Sequence, residues 1–179
     1  MNRAGRRVAF SVFGVFFFVA PSATSRADAA TPSAQSIAFA EKVRACGAGD
    51  NNACLAVASA LEEGTSVAKD SPRAAALFEQ ACKKGNPIAC ARLAIMLVLA
   101  SGVPKDAQRA ASLFEQACGS GVLAACRNLG VLYDEGDGVT KNATRAQALY
   151  RQACDGGDPS GCASLGALIL RNASKTKED

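Results

Sequence analysis

Residues 71–90 read SPRAAALFEQACKKGNPIAC. Ala74, Leu77, Phe78, Ala81 and Cys82 fall three and four apart, which places them on one face of a helix. Asp70 before the run is a good N-cap, and Pro72 sits in the first turn, where its missing N–H costs little. Gly85 is where this helix should stop, because glycine takes the left-handed C′ conformation cheaply. Asn86 then reads as the N-cap of a second helix with Pro87 at its first position. Ala89, Leu93, Ala94 and Leu97 are the apolar face of that helix. The stretch is a helical hairpin with Cys82 in the last turn of one arm and Cys90 in the first turn of the other.

The same hairpin returns along the chain. First cysteines stand at Cys46, Cys82, Cys118 and Cys154, each 36 residues after the last, and second cysteines at Cys54, Cys90, Cys126 and Cys162. Gly49, Gly85, Gly121 and Gly157 lie inside the four pairs, and Asp158–Pro159 repeats the Asn86–Pro87 signal. Arg73, Arg109 and Arg145 keep the same step, as do Lys69, Lys105 and Lys141 and, two residues before them, Val67, Val103 and Val139. Alanine precedes each first cysteine, and alanine or Gly161 precedes each second one, as close helix crossings require. A fixed period of this length is the signature of a solenoid. No window alternates apolar and polar residues over a strand's length, so the class is all-α: an α-solenoid of four helix-turn-helix units.

The ends are of a different kind. Arg3, Arg6 and Arg7, the apolar run 8–20 and the small residues at 27–29 compose a secretory signal peptide over 1–29. The apolar run is short for a bilayer span, nothing later is longer, and no cysteine follows closely enough for lipid attachment. Removal of 1–29 takes four arginines and Asp28 with it, so the formal net charge falls from +4 to about +1. That balance makes no case for nucleic acid or an anionic membrane surface. The repeat domain is expected over 30–172, in units of about 35–70, 71–106, 107–142 and 143–172, with a flexible tail at 173–179. The protein is expected to be exported, to the periplasm or beyond, where an even number of regularly spaced cysteines points to disulfides.

The succession A-x-x-L-F-x-x-A-C, a glycine turn, A-C-x-x-L-G and then G-x-G-V-x-K-D resembles the Sel1-like repeat, a relative of the tetratricopeptide repeat. The paired cysteines resemble in particular the secreted Helicobacter cysteine-rich proteins. The resemblance covers roughly residues 35–172. The first unit departs from it, with Glu41 and Lys42 where the next has Leu77 and Phe78, and this suits a terminal cap.

Eight cysteines allow 105 full pairings, and spacing alone does not choose. Repeat symmetry and the hairpin geometry select Cys46–Cys54, Cys82–Cys90, Cys118–Cys126 and Cys154–Cys162. Each bridge closes a loop of about nine residues, worth roughly 2–3 kcal/mol by loop entropy. Zinc would want closer cysteine spacing or histidine, and the chain has no histidine. Redox and haem Cys-x-x-Cys motifs are absent, so no metal or cofactor is expected, and a thiol-redox or metal-handling role is the weakest reading.

Without histidine, Ser-His and Cys-His catalysis fall together. The carboxylates are scattered along helix faces rather than placed as an acid–base couple. The family resemblance implies penicillin binding or β-lactam hydrolysis. The one local match to a serine β-lactamase motif is S-x-x-K at Ser66 and Lys69, in an inter-unit loop where the other units have Gly102 and Gly138, with no S-D-N or K-T-G elsewhere. Solenoids work through surface instead. In tetratricopeptide-like arrays the first helix of each pair lines the concave face, and the polar positions there are Glu79, Gln80, Glu115, Gln116, Arg151 and Gln152. They are the expected contacts for a protein or peptide ligand, with a cell-wall fragment or β-lactam as alternatives. Arg73, Arg109 and Arg145 are expected to pair with a carboxylate or carbonyl of a neighbouring unit. The favoured function is a protein-interaction scaffold, and the alternative is a β-lactamase or penicillin-binding protein.

Overall fold

The computed structural model describes residues 34–65 and 67–175, and the signal segment 1–29 lies outside them. Among the described residues there are eight helices and no strand: α1 Ala34–Gly47, α2 Asn51–Glu63, α3 Ser71–Lys83, α4 Pro87–Leu99, α5 Ala107–Gly119, α6 Leu123–Glu135, α7 Ala143–Asp155 and α8 Pro159–Lys175. Each helix packs chiefly on the one before and the one after it. The odd-numbered helices stand in one layer and the even-numbered in another.

Local chemistry sets the helix ends. Asp70, Asp106 and Asn142 accept the backbone N–H of Arg73, Arg109 and Arg145 at 3.1, 2.9 and 2.9 Å. Asn86 does the same for Ala89 at 3.0 Å. Between α3 and α4 the Gly85 N–H donates to the Cys82 carbonyl and Asn86 N–H to the Ala81 carbonyl, at 2.8 and 3.0 Å. This double bond pattern closes the helix end around a left-handed residue, Gly85 at φ +87°. It recurs at Gly49, Gly121 and Gly157 with the same partners one period apart. The turn folds each second arm back on the first, and the Cα atoms of the four cysteine pairs come within 4.4–4.7 Å. All four hairpin bridges are formed.

The core lies between the layers. Phe78, Phe114 and Tyr150 are 0, 2 and 3 % exposed and occupy one repeat position on α3, α5 and α7. Small residues stand at the matching position of the even helices: Ala58, Ala94 and Gly130. Tyr150 fits against Gly130 so closely that a Cβ there would come within 2.7 Å of its ring. On α1 the same position is Lys42, exposed beside exposed Glu41, so this outer helix is polar where the inner ones are aromatic. Leu77 packs on the Cys46–Cys54 bridge of the preceding hairpin. At the other end Cys162 is exposed, whereas Cys54, Cys90 and Cys126 are fully buried. The expected domain end at residue 172 falls inside a helix. Helix α8 runs through Lys175, held near its end by the Arg171 guanidinium donating to Asp134 of α6.

Candidate interaction face

Two ladders of charge run along the array, one in each layer. In the odd layer Arg109 of α5 donates to Glu79 of α3 at 2.8 Å, and Arg145 of α7 donates to Glu115 of α5 at 2.6 Å. In the even layer Arg92 of α4 reaches Glu62 of α2 at 3.3 Å, and Arg171 of α8 pairs with Asp134 of α6. The expected pairing of the recurring arginines therefore holds for Arg109 and Arg145. Arg73 is a correction: it is exposed and pairs with no carboxylate of the described residues. The reason is positional. Its acid would stand at residue 43, which is Val43.

Glu79 also accepts from Lys83 at 3.0 Å on its own helix. The Lys83 ammonium, helped by the Arg109 charge, holds the Glu79 carboxyl below the usual carboxylate range against the opposing effect of partial burial. Gln80, Gln116 and Gln152 are exposed at one repeat position, and Arg151 is exposed beside the last. An open depression of about 380 Å³ joins Glu79 and Gln80 to Lys83, Lys84 and Ala76. The two lysines complete this surface. Their signal in the sequence was weak, since the other units carry Gly119–Ser120 and Asp155–Gly156 there.

Ser66 lies outside the described residues. Lys69 is exposed, in the loop that joins α2 to α3. At the repeat position of Ser66 the loops carry Gly102 and Gly138, where a Cβ would come within 2.4 and 2.3 Å of backbone atoms. Among the described residues no group of three histidines, cysteines or acids could hold a metal ion. No described helix is long and apolar enough to cross a membrane.

Stacked helical hairpins, each packed on the next and joined at several places by cross-unit ion pairs, define a helical-repeat solenoid, a class that presents surface to its partners. The Sel1 repeat model matches residues 51–86, 87–122 and 123–158, more than half of the chain, and the protein belongs to the Sel1 repeat family. That model counts units in the other phase, so each is an even helix followed by an odd one, and the inner bridges then join successive units. The fold is similar to a Sel1 repeat protein from Oxalobacter formigenes, at 28 % identity and a TM-score of 0.70, over 74 % of this chain and 54 % of that one. It is similar to a protective antigen of uropathogenic Escherichia coli strains that displays an SLR fold, at 27 % identity and a TM-score of 0.71, over 75 % of this chain and 29 % of that one. It also shares its fold with Helicobacter pylori cysteine rich protein B, at 24 % identity and a TM-score of 0.56, over 72 % of this chain and 92 % of that one. The chain thus spans about half the length of the Oxalobacter protein and under a third of the E. coli one. No curated protein sequence matches. A Sel1 scaffold braced by disulfides fits a protein-interaction role.

Proposed function

We propose that this protein is an exported interaction scaffold that grips an extended protein or peptide segment, or a cell-wall fragment, along its odd-numbered helices. The observation that carries the reading is the row of exposed amides, Gln80, Gln116 and Gln152, spaced one unit apart on a frame fixed by four bridges. Successive odd-numbered helices lie within reach of one arginine–glutamate pair, Arg109 to Glu79 and Arg145 to Glu115. An extended peptide, at roughly 3.3 Å per residue, crosses such a gap in a few residues. Each amide has both a donor and an acceptor for a peptide backbone, so one ligand chain can meet all three. Glu115 and Arg151 flank the row and would select ligand charge. Four disulfides support an oxidising compartment, in agreement with the export signal read over 1–29.

The test is a pull-down from envelope extract with the oxidised protein and with a variant carrying Gln80→Ala, Gln116→Ala and Gln152→Ala. A saturable partner retained by the parent and lost by the variant is the expected result. Identical capture by both would remove the amide row from the function. Hydrolysis of a β-lactam ring, implied by the cysteine-rich family, would rest on Ser66 and Lys69. Turnover of a chromogenic β-lactam that vanishes in Ser66→Ala would establish that reading.

A further inference from the structure

The even-helix ladder is broken in the middle of the array. Between α2 and α4 it is closed by Arg92 and Glu62. One period on, the residues at those two positions are Asn128 and Val98. Both members of the ion pair are replaced, and a cavity of about 160 Å³ opens between α4 and α6 at that place. Buried Phe114 and Leu132 lie at its base, and half-buried Ile95, Val98 and Val131 line its sides. Leu99 stands at its lip and is 69 % exposed.

Solenoid packing does not require these apolar residues. At the positions of Val98 and Leu99, α2 carries Glu62 and Glu63, α6 carries Asp134 and Glu135, and α8 carries Leu170 and Arg171. The apolar pair of α4 therefore lies between two acidic pairs, those of α2 and α6. The ion pairs of Arg92 and Arg171 neutralise Glu62 and Asp134. Glu63 shares the Arg92 guanidinium in a long ion pair of 4.0 Å, whereas Glu135 is exposed without an ion pair among the described residues. An apolar hollow is thus bracketed by two acids, one period to either side of Leu99. Its size suits one side chain, since an apolar cavity of ~150 Å³ holds a benzene-sized ring. Exposed apolar residues rimmed by charge mark interaction sites, and buried anchors in such hollows carry most of an interface's energy.

We infer that the α4–α6 hollow is a second docking site, on the even-helix layer, for a partner segment that inserts one aromatic or branched aliphatic side chain flanked by lysine or arginine. The anchor displaces water from Ile95, Val98 and Val131. Asn128 is placed to hydrogen-bond the backbone beside the anchor. Glu135, with a smaller contribution from the Arg92-paired Glu63, attracts the flanking basic residues, an electrostatic contribution that salt screens.

The test is fluorescence anisotropy with a labelled heptapeptide carrying a central phenylalanine between lysine pairs, titrated with the oxidised protein. Control peptides replace the phenylalanine with alanine or the lysines with glutamate. The decisive variant is Val98→Glu with Asn128→Arg, which restores the ion pair of the preceding joint. Leu99→Glu, which restores the acid of α2 and α6, is the second variant. Both import residues that neighbouring units already accommodate, and circular dichroism checks that they fold. Saturable binding of the lysine-flanked phenylalanine peptide is expected, weakened about tenfold or more by either variant and by either peptide change. No binding at millimolar peptide, equal binding to the restored-pair variant, or equal binding of the glutamate-flanked peptide would each overturn the proposal. Concentration-dependent self-association of the protein that Leu99→Glu abolishes would also overturn it, because the occupant would then be a second copy. The outcome is independent of the amide row on the odd helices, which these variants leave untouched.

Discussion

Arg109 and Glu79 stand 30 residues apart in sequence and 2.8 Å apart in space, and Arg145 and Glu115 repeat the relationship at 2.6 Å. Each pair joins helices of one layer that are not consecutive in the chain. The arginine leaves the first turn of one helix and meets an acid two turns into the helix before the last. The pairs are exposed apart from half-buried Glu79, so each is worth at most about 1 kcal/mol. Their value is in register: they oppose sliding of one unit against the next.

The Glu79 pairing gives an acid dependence. Its folded pKa lies below the unfolded value near 4.5. Its contribution to stability is therefore present above about pH 4.5 and is lost as pH falls through the folded pKa. Glu79→Gln should flatten that part of the stability curve, measured by urea unfolding between pH 3 and 6, and leave stability at pH 7 within about 1 kcal/mol of the parent. An unchanged slope would assign the acid dependence to other carboxylates.

Tyr150 predicts the alkaline limb. Burial, aided by the negative charges of Asp134 and Glu135, pushes its phenol up to about 12 from an ordinary 10. Its neutral form is what the fold accommodates, so stability is complete below pH 10 and falls as pH rises toward 12. Tyr150→Phe should remove this loss. Phenolate absorbance should show one of the chain's two tyrosines ionising late in the native protein and normally after unfolding in urea. An ordinary native titration for both would contradict the burial of Tyr150.

Helix ends offer a gain of stability. The even helices α2, α4 and α6 close on left-handed residues Gly64, Ala100 and Gly136, and Ala100 holds φ +53° with a Cβ. A left-handed L-residue costs about 1–2 kcal/mol, and glycine returns part of that in unfolded-chain entropy. Ala100→Gly should raise stability by about 0.5–1 kcal/mol, and Gly136→Ala should lower it by a similar amount. Thermal unfolding of the two variants decides the point, and a loss of stability in Ala100→Gly or a gain in Gly136→Ala would refute it.

Bridge accessibility should separate the four disulfides. Three have second cysteines with no exposed surface, and Leu77 covers the first bridge directly. Cys162 is exposed on α8. Under native conditions dithiothreitol should reduce Cys154–Cys162 well before the other three, as mass spectrometry of alkylated peptides will show. Uniform fast reduction of all four would instead favour a thiol-redox role.

The hairpins, their period and the four bridges were legible in the sequence because every signal involved is local. Asp70, Pro72, Gly85 and Asn86 act within a few residues of themselves, and a cysteine pair spaced by eight needs only that turn to meet. Repetition then multiplied one reading by four. The polar cap at Glu41 and Lys42 was legible for the same reason, since comparison one period later exposed it.

What only the tertiary structure decided is which side chains meet between units. Arg109 finds Glu79 while Arg73 finds no acid among the described residues, because helix crossing sets the partner 30 residues back and position 43 is valine. Cap and turn chemistry contains no information about that crossing. The α4–α6 hollow arises in the same way. Val98 and Asn128 are unremarkable residues until packing places them where Glu62 and Arg92 close the neighbouring joint. Local sequence thus determines the unit, and the rotation and spacing of packed helices determine the surface the units make together.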